Sequence, residues 1–482
     1  MNPPLEAPAG ADFRLGFTSL DREVQARALP VAGTLPGWLN GTLFRNGPAR
    51  FAVGAERYRH WFDGLAMLHR FRIANGTVEY GNRFLRSEAY VEAARIGRIA
   101  RSEFDTDPAP TLAELLGIRF GAASSNNANV NIVRYGGGYL ALTETVYPLA
   151  FDGDTLATRG PLVYADNVTG QMTTAHAHHD PVRRATFNIV TEFGAKSFYK
   201  IVRIADGTLT RTIVAAIPAD EPAYIHAFST TKNTVVVAEY PLVVRALDLM
   251  FRRKPFIENY RWKPARATRF HVIHKDSGAV LGTYETGAFF AFHHINAFEE
   301  GDAIVVDISA YDDAAIIPSL RLSHLLGESH EPWARATFRR YRLIPGRSTP
   351  EVELVVTAST ELPSVARPNA GRDYRYAYGL DDGGTAGIGN QLVKVDVRER
   401  VVTPWTGTRT YPGEPVFVAR PGATDEDDGV LVSVVLDAAA GDSFLLVLDA
   451  GGMHELARAR VPHHIPFGFH GIFTAVAAGS EP

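Results

Sequence analysis

The feature that most constrains this chain is a recurring pair of short β-rich runs closed by a turn. Residues 71–73 and 77–80 flank Asn75-Gly76, a dipeptide suited to a type I′ hairpin turn. The pattern returns at 131–135 and 139–143 around Gly136-Gly137-Gly138, and at 198–204 and 208–215 around Asp206-Gly207. It returns again at 271–274 and 279–284 around Ser277-Gly278, then at 392–397 and 401–404, and at 430–436 and 443–448. Hairpins repeated over 482 residues, with no Ser/Gly linker or compositional break, predict an all-β fold in one domain, 1–482. They suit a β-propeller better than a single sandwich. No blade signature is shared, so the repeat is structural only. Helical stretches are few and are expected at 88–101, 110–116 and 242–253.

Composition removes several classes of function. A formal net charge of −4 lacks the basic excess of a general nucleic-acid binder. With no cysteine, disulfide frameworks, thiolate zinc sites and iron–sulfur clusters are excluded. Residues 1–12 are rich in Pro, Ala and Gly, without the basic start and apolar run of a secretory signal. No stretch approaches the roughly 20 apolar residues of a membrane span. A cytoplasmic location is the default expectation, and no protein partner is evident.

Four histidines, His176, His226, His293 and His470, each sit in a short apolar or aromatic run, such as Tyr224-Ile225-His226-Ala227-Phe228. A charged imidazole is costly there, and a neutral one wants a hydrogen-bond partner or a metal. In a propeller the innermost strands of distant blades reach one axis, so such residues can meet. Most of the 16 histidines must be ordinary, however, and none of these four forms a close pair such as His-x3-His. His178-His179-Asp180 offers a rival, the His-x-Asp of a 2-His-1-carboxylate iron site, although that site belongs to a compact jelly roll. Glu144, Glu361 and Glu414 stand at strand ends in apolar company. Each suits either a surface position or a carboxylate behind a metal-bound imidazole.

Taken together these segments resemble the carotenoid cleavage oxygenase family, over nearly the whole chain. Gly41-Thr42-Leu43-Phe44-Arg45-Asn46-Gly47-Pro48 is similar to the family's N-terminal RNGP segment, and His60-Trp61-Phe62-Asp63-Gly64 to its HWFDG block. The four histidine contexts match the iron-ligand blocks in order, the three glutamates fall on the family's glutamates, and Tyr374-Arg375-Tyr376-Ala377-Tyr378-Gly379 has a counterpart. The resemblance implies a seven-bladed β-propeller with a helical and loop cap over a substrate tunnel, with cap insertions at about 88–120 and 241–262. It implies Fe(2+) held by His176, His226, His293 and His470, with Glu144 orienting His226, Glu361 orienting His293 and Glu414 orienting His470. No catalytic residue is expected beyond the iron centre. His294 adjoins a ligand, but strand alternation points it to the opposite face.

The implied activity is that of a non-heme Fe(II) dioxygenase cleaving one C=C bond of a carotenoid or apocarotenoid with O2, giving two aldehydes of the apocarotenal or retinal type. The alternatives within the family are a stilbene- or phenylpropene-cleaving dioxygenase and a retinyl ester isomerohydrolase. The stilbene branch usually carries a phenolate-binding lysine before the first glutamate; this chain has Thr143, which favours a polyene. Trp61-Phe62-Asp63-Gly64 and Ser102-Glu103-Phe104-Asp105-Thr106 look closer to the animal-type carotene oxygenase and retinoid isomerase branch. Residues 241–256 set apolar side chains beside Arg252, Arg253 and Lys254, a pattern that suits peripheral contact with a membrane surface as well as a helix packed on the propeller.

Overall fold

The computed structural model describes residues 12–109, 125–251, 254–329, 333–384 and 387–476. Its strands form a seven-bladed β-propeller of antiparallel sheets. The first blade comprises Val24–Ala28, Gly41–Arg50, Leu65–Ala74, Thr77–Phe84 and, from the far end of the chain, Gly471–Ala475. The next five follow in chain order, with innermost strands Asn131–Tyr135, Met172–Thr173 with His178–Asp180, Ser229–Thr230, His294–Glu300 and Glu361–Val365. The seventh runs from Thr410–Pro412 and Val416–Ala419 outwards to Glu455–Arg460, and Val31–Gly33 adds its outer edge.

All six hairpins read from the sequence are present. Asn75 (φ 51°) and Gly76 (φ 73°) both take the positive φ that a type I′ turn requires. Burial follows the radius of the ring. The second strands Thr234–Glu239 and Ala303–Ala310 are almost wholly buried, whereas the outermost strands Val280–Thr286 and Glu351–Val356 expose half or more of their residues. Sheets packed face to face thus put the apolar runs inside and leave alternating strands at the rim.

The helices correct the sequence reading in part. The expected helix at 88–101 is Glu88–Ile96, capped by Ser87, whose side chain accepts from the Tyr90 amide, and closed by Gly97 at φ 73°. Instead of one helix over 242–253, Leu242–Val243 is a strand paired with Arg261–Trp262, and the helix is Ala246–Phe251. The β-branched pair Val243-Val244 favours the extended chain at its start. Positions 110–116 and the Arg252-Arg253 pair lie outside the described residues. Two short helices, Ile316–Ser319 and Leu322–Leu325, were not expected.

Candidate metal centre

The side chains that meet around the axis come from the starts and breaks of innermost strands, with Glu144 from the end of a second strand. His226, His293 and His470 each lie just before an innermost strand, and His176 lies in the gap between Met172–Thr173 and His178–Asp180. Glu361 opens its strand, with Leu362 at φ 46°, and Glu414 fills the gap between Thr410–Pro412 and Val416–Ala419. Glu144 follows Gly138–Leu142, where its carbonyl accepts from the Thr173 amide at 2.9 Å. A chain leaving the ladder can turn a side chain inward that a continuous strand would send to the blade wall.

Close backbone approach is part of this construction. Asn46 donates its amide to the His470 carbonyl at 3.0 Å, and Phe469 donates to the Asn46 carbonyl at 3.0 Å. A Cβ on Gly47 would stand 2.4 Å from Gly468 Cα, and one on Gly471 would stand 2.1 Å from the Phe44 carbonyl oxygen. Only glycine fits at these crossings.

The structure brings all four sequence-selected histidines together, with one ring nitrogen of each within 4.8 Å of the others. His176 Nε2 lies 3.1 Å from His226 Nε2, and His293 Nε2 lies 3.1 Å from His470 Nε2. Behind the rings, His226 Nδ1 donates to Glu144 at 2.6 Å, His293 Nδ1 to Glu361 at 2.5 Å, and His470 Nδ1 to Glu414 at 2.7 Å. Among the described residues no carboxylate stands behind His176.

Electrostatics keep three of these imidazoles, His176, His226 and His470, neutral. Burial, followed by the presence of the other three rings, holds His176 well below the ordinary histidine range. Burial also lowers His226 and takes His470 down to about 4, although Glu144 and Glu414 act in the opposite sense. Burial alone would raise Glu361 and Glu414. His293 outweighs it at Glu361, and Arg45 with His470 at Glu414, leaving both carboxyls below their usual range.

This donor set fits a cation. In the tautomers that donate Nδ1–H to Glu361 and Glu414, the Nε2 atoms of His293 and His470 both carry lone pairs, and they face each other at 3.1 Å. Two acceptors cannot bond to one another, and a positive ion between them resolves the contact. Four imidazole nitrogens suit iron, copper, nickel or zinc rather than calcium or magnesium.

Three of the four rings also face a cavity of about 1040 Å³. Its wall is largely apolar and aromatic, with Trp61, Phe62, Phe104, Phe292 and Phe469 among its members. The Trp61–Asp63 turn is capped by His60, and Asp63 accepts from the Asp105 amide at 3.0 Å and from Thr106 Oγ1 at 2.6 Å. The two sequence blocks noted above therefore form one unit that presents Trp61 and Phe62 to the cavity. Ala246, Leu249 and Phe256 line it from the segment after Leu242–Val243.

The rival site does not assemble. His178 Nε2 donates to the Phe228 carbonyl at 2.9 Å, while Asp180 accepts from Lys275 at 2.9 Å and from Arg183 at 3.1 Å. Tyr374 does structural work, donating to Asp307 at 2.6 Å between blades. Sequence reasoning assigned no role to Arg45 or Tyr224. Arg45 is buried and ion-paired to Glu414, and Tyr224 Oη donates to Glu144 at 2.8 Å. A charged residue in the apolar strand Leu43-Phe44-Arg45 was the available signal, since a buried guanidinium needs an anion.

A family model described as retinal pigment epithelial membrane protein matches residues 17–475. Among curated proteins, the carotenoid-cleaving dioxygenase of Macaca fascicularis is 34% identical, covering 95% of this chain and 94% of its own. Carotenoid cleavage dioxygenase 8 homolog A of Oryza sativa subsp. japonica is 36% identical, covering 94% of this chain and 86% of its own. The animal and plant relatives thus stand at nearly equal identity. Among solved structures, cobalt-substituted Synechocystis ACO superposes with a TM-score of 0.85 at 27% identity, over 96% of this chain and 98% of that one.

Proposed function

The chain belongs to the carotenoid cleavage oxygenase family, and on that premise we propose that it is an Fe(II) dioxygenase cleaving one double bond of a carotenoid or apocarotenoid. The observation that carries this reading is the junction of four inward-facing imidazoles with a large aromatic-walled cavity. His176, His226, His293 and His470 would hold the ion. Bound there, ferrous iron would supply the open positions and redox chemistry by which dioxygen reacts with an electron-rich double bond.

The protein's own part is binding, orientation and exclusion of water. Glu144, Glu361 and Glu414 hold three rings by Nδ1, which turns the Nε2 lone pairs to the centre. Trp61, Phe62, Phe292 and Phe469 give a polyene flat apolar surfaces beside that centre and replace the water around the reacting bond. Both oxygen atoms of O2 end on the two carbons of one C=C bond, giving two carbonyl products. The polyene supplies the electrons, so no reducing cosubstrate is required. Thr143 lies in the cavity wall and has no charge with which to hold a phenolate.

The deciding experiment is anaerobic loading with Fe(II), followed by aerobic incubation with β-carotene, an apocarotenal, resveratrol and a retinyl ester in separate reactions. Aldehydes from a polyene, identified by mass and absent in a His293→Ala protein, are expected and would locate the bond. Cleavage of resveratrol alone, or ester isomerisation alone, would replace this reading with the corresponding family activity.

The segment carrying Leu247 and Leu249 is proposed to touch a membrane surface, where such substrates dissolve. Leu247 is 53% exposed and Leu249 reaches the cavity. Among the described residues no helix is long and apolar enough to cross a membrane. Leu247→Ser with Leu249→Ser should cut liposome partitioning several-fold without unfolding the protein; unchanged partitioning would reject the contact.

A further inference from the structure

The three carboxylates behind the histidines are not equivalent. Glu144 meets His226 and the Tyr224 hydroxyl, and Glu361 meets His293 and the Leu362 amide. Burial pushes the Tyr224 phenol well above its ordinary range, so it stays neutral. Among the described residues, only Glu414 of the three meets a cation. Its Oε1 accepts from His470, while Oε2 accepts from the Gly471 amide at 2.9 Å and from Arg45. The other end of the Arg45 fork donates to the Phe469 carbonyl at 2.7 Å, and Arg45 is only 5% exposed. Its position is set by strand register, because Arg45 pairs directly with Gly471, the residue after His470.

Among the described residues, the groups touching the four imidazoles and their carboxylates are three carboxylates and one guanidinium, a formal count of three negative charges and one positive. A divalent ion brings this buried assembly to neutrality, and a trivalent one leaves it positive. In a low-dielectric interior such a difference is costly. We infer that Arg45 is a positioning residue for the metal centre that also balances its charge, favouring the divalent state of the bound ion. This rests on the reading that iron occupies the four-histidine site. Arg45 is neither one of the four nitrogen donors nor part of the cavity wall, and acts through Glu414 and His470.

The test loads wild-type, Arg45→Lys, Arg45→Met, Glu414→Gln and Arg45→Met/Glu414→Gln proteins anaerobically with Fe(II). Bound iron is quantified, and the ferric fraction is read by electron paramagnetic resonance at potentials set by mediator dyes. Each event passes one electron from iron to the mediator, with no bond made or broken. Arg45→Met should raise the ferric-to-ferrous ratio at a given potential at least tenfold, a shift of about 59 mV for a one-electron couple. Glu414→Gln should move the ratio the opposite way, the double variant should return to within about threefold of wild type, and Arg45→Lys should stay near it. A purely structural role predicts lost iron in every variant with no ordered shift in the ratio.

Equal ratios, or single variants moving in the same direction, would overturn the inference. If Arg45→Met does not fold, comparing the double variant with Glu414→Gln carries the same test, with the double variant expected to be the more easily oxidised. Wild-type protein that takes up no iron would overturn the functional reading as well. Iron that binds with unmoved ratios overturns this inference alone.

Discussion

His293 and His294 are adjacent, yet they serve two different regions of the propeller. His293 faces the axis, with Nδ1 on Glu361 and Nε2 turned to another bare imidazole nitrogen. His294 faces the space between blades, with Nδ1 at 2.6 Å from Ser229 Oγ and Nε2 at 2.9 Å from Tyr240 Oη. Burial, then the neighbouring rings of His178, His293 and His226, holds His294 down to about 3. Enclosure therefore does not distinguish a histidine of the proposed metal site from a packing one. The distinction lies in whether the second ring nitrogen already has a partner in the protein.

The sharpest way to break the comparison is to truncate each residue in turn. His293→Ala should lose stoichiometric iron and all polyene cleavage, both falling to background in metal analysis and product assays. His294→Ala should retain iron but lose on the order of 3 kcal/mol of stability in urea unfolding, since it leaves a cavity and two unpaired hydroxyls. Iron loss of equal extent in both variants would erase the proposed division of labour.

Two smaller effects sharpen it. Glu361→Gln keeps the shape behind His293 but removes the charge, and should weaken metal affinity about 10–100-fold by competition titration. An unchanged affinity would make the carboxylate a packing group. The pH dependence concerns His294. Its unfolded form takes a proton near the ordinary value of 6.5, while the folded form resists until about 3. The unfolded state binds more protons in that interval, so stability should decline as pH falls from about 6.5 towards 3. His294→Phe should show a shallower decline between pH 7 and 5 in urea midpoints, and an identical slope would remove His294 from the acid response.

Much of this difference was legible in the sequence because strands have period 2. Placing His293 inward necessarily placed His294 outward. The hairpins were legible for a similar reason, since residues such as Asn75-Gly76 and Asp206-Gly207 name their own turn geometry. The fifth blade, 294–356, escaped notice although Gly301 sits at its first turn with φ 58°. The short helices after Tyr311 carry too few residues to establish a helical period.

What could not be read locally was long-range register. Nothing near Val31–Gly33 indicates that it edges the seventh blade, and nothing near Arg45 points to Gly471. The pairing of each glutamate with its histidine spans tens of residues to more than eighty, and it came from resemblance rather than from spacing. The role of Arg45 was hidden for the same reason. Its partner, Glu414, lies 369 residues away, in the break of a strand that period alone would have drawn as continuous.

That register has a consequence for how the protein is made. Three of the four imidazoles leave the ribosome with most of the propeller, but His470 comes just ahead of Gly471–Ala475, the strand that seals the first blade onto Gly41–Arg50. Held in place by Asn46 and by the Arg45–Glu414 pair, it reaches the axis only when the ring is fastened. A chain synthesised only as far as residue 469 thus carries three of the four imidazoles, and the proposed metal site is completed only when the ring closes.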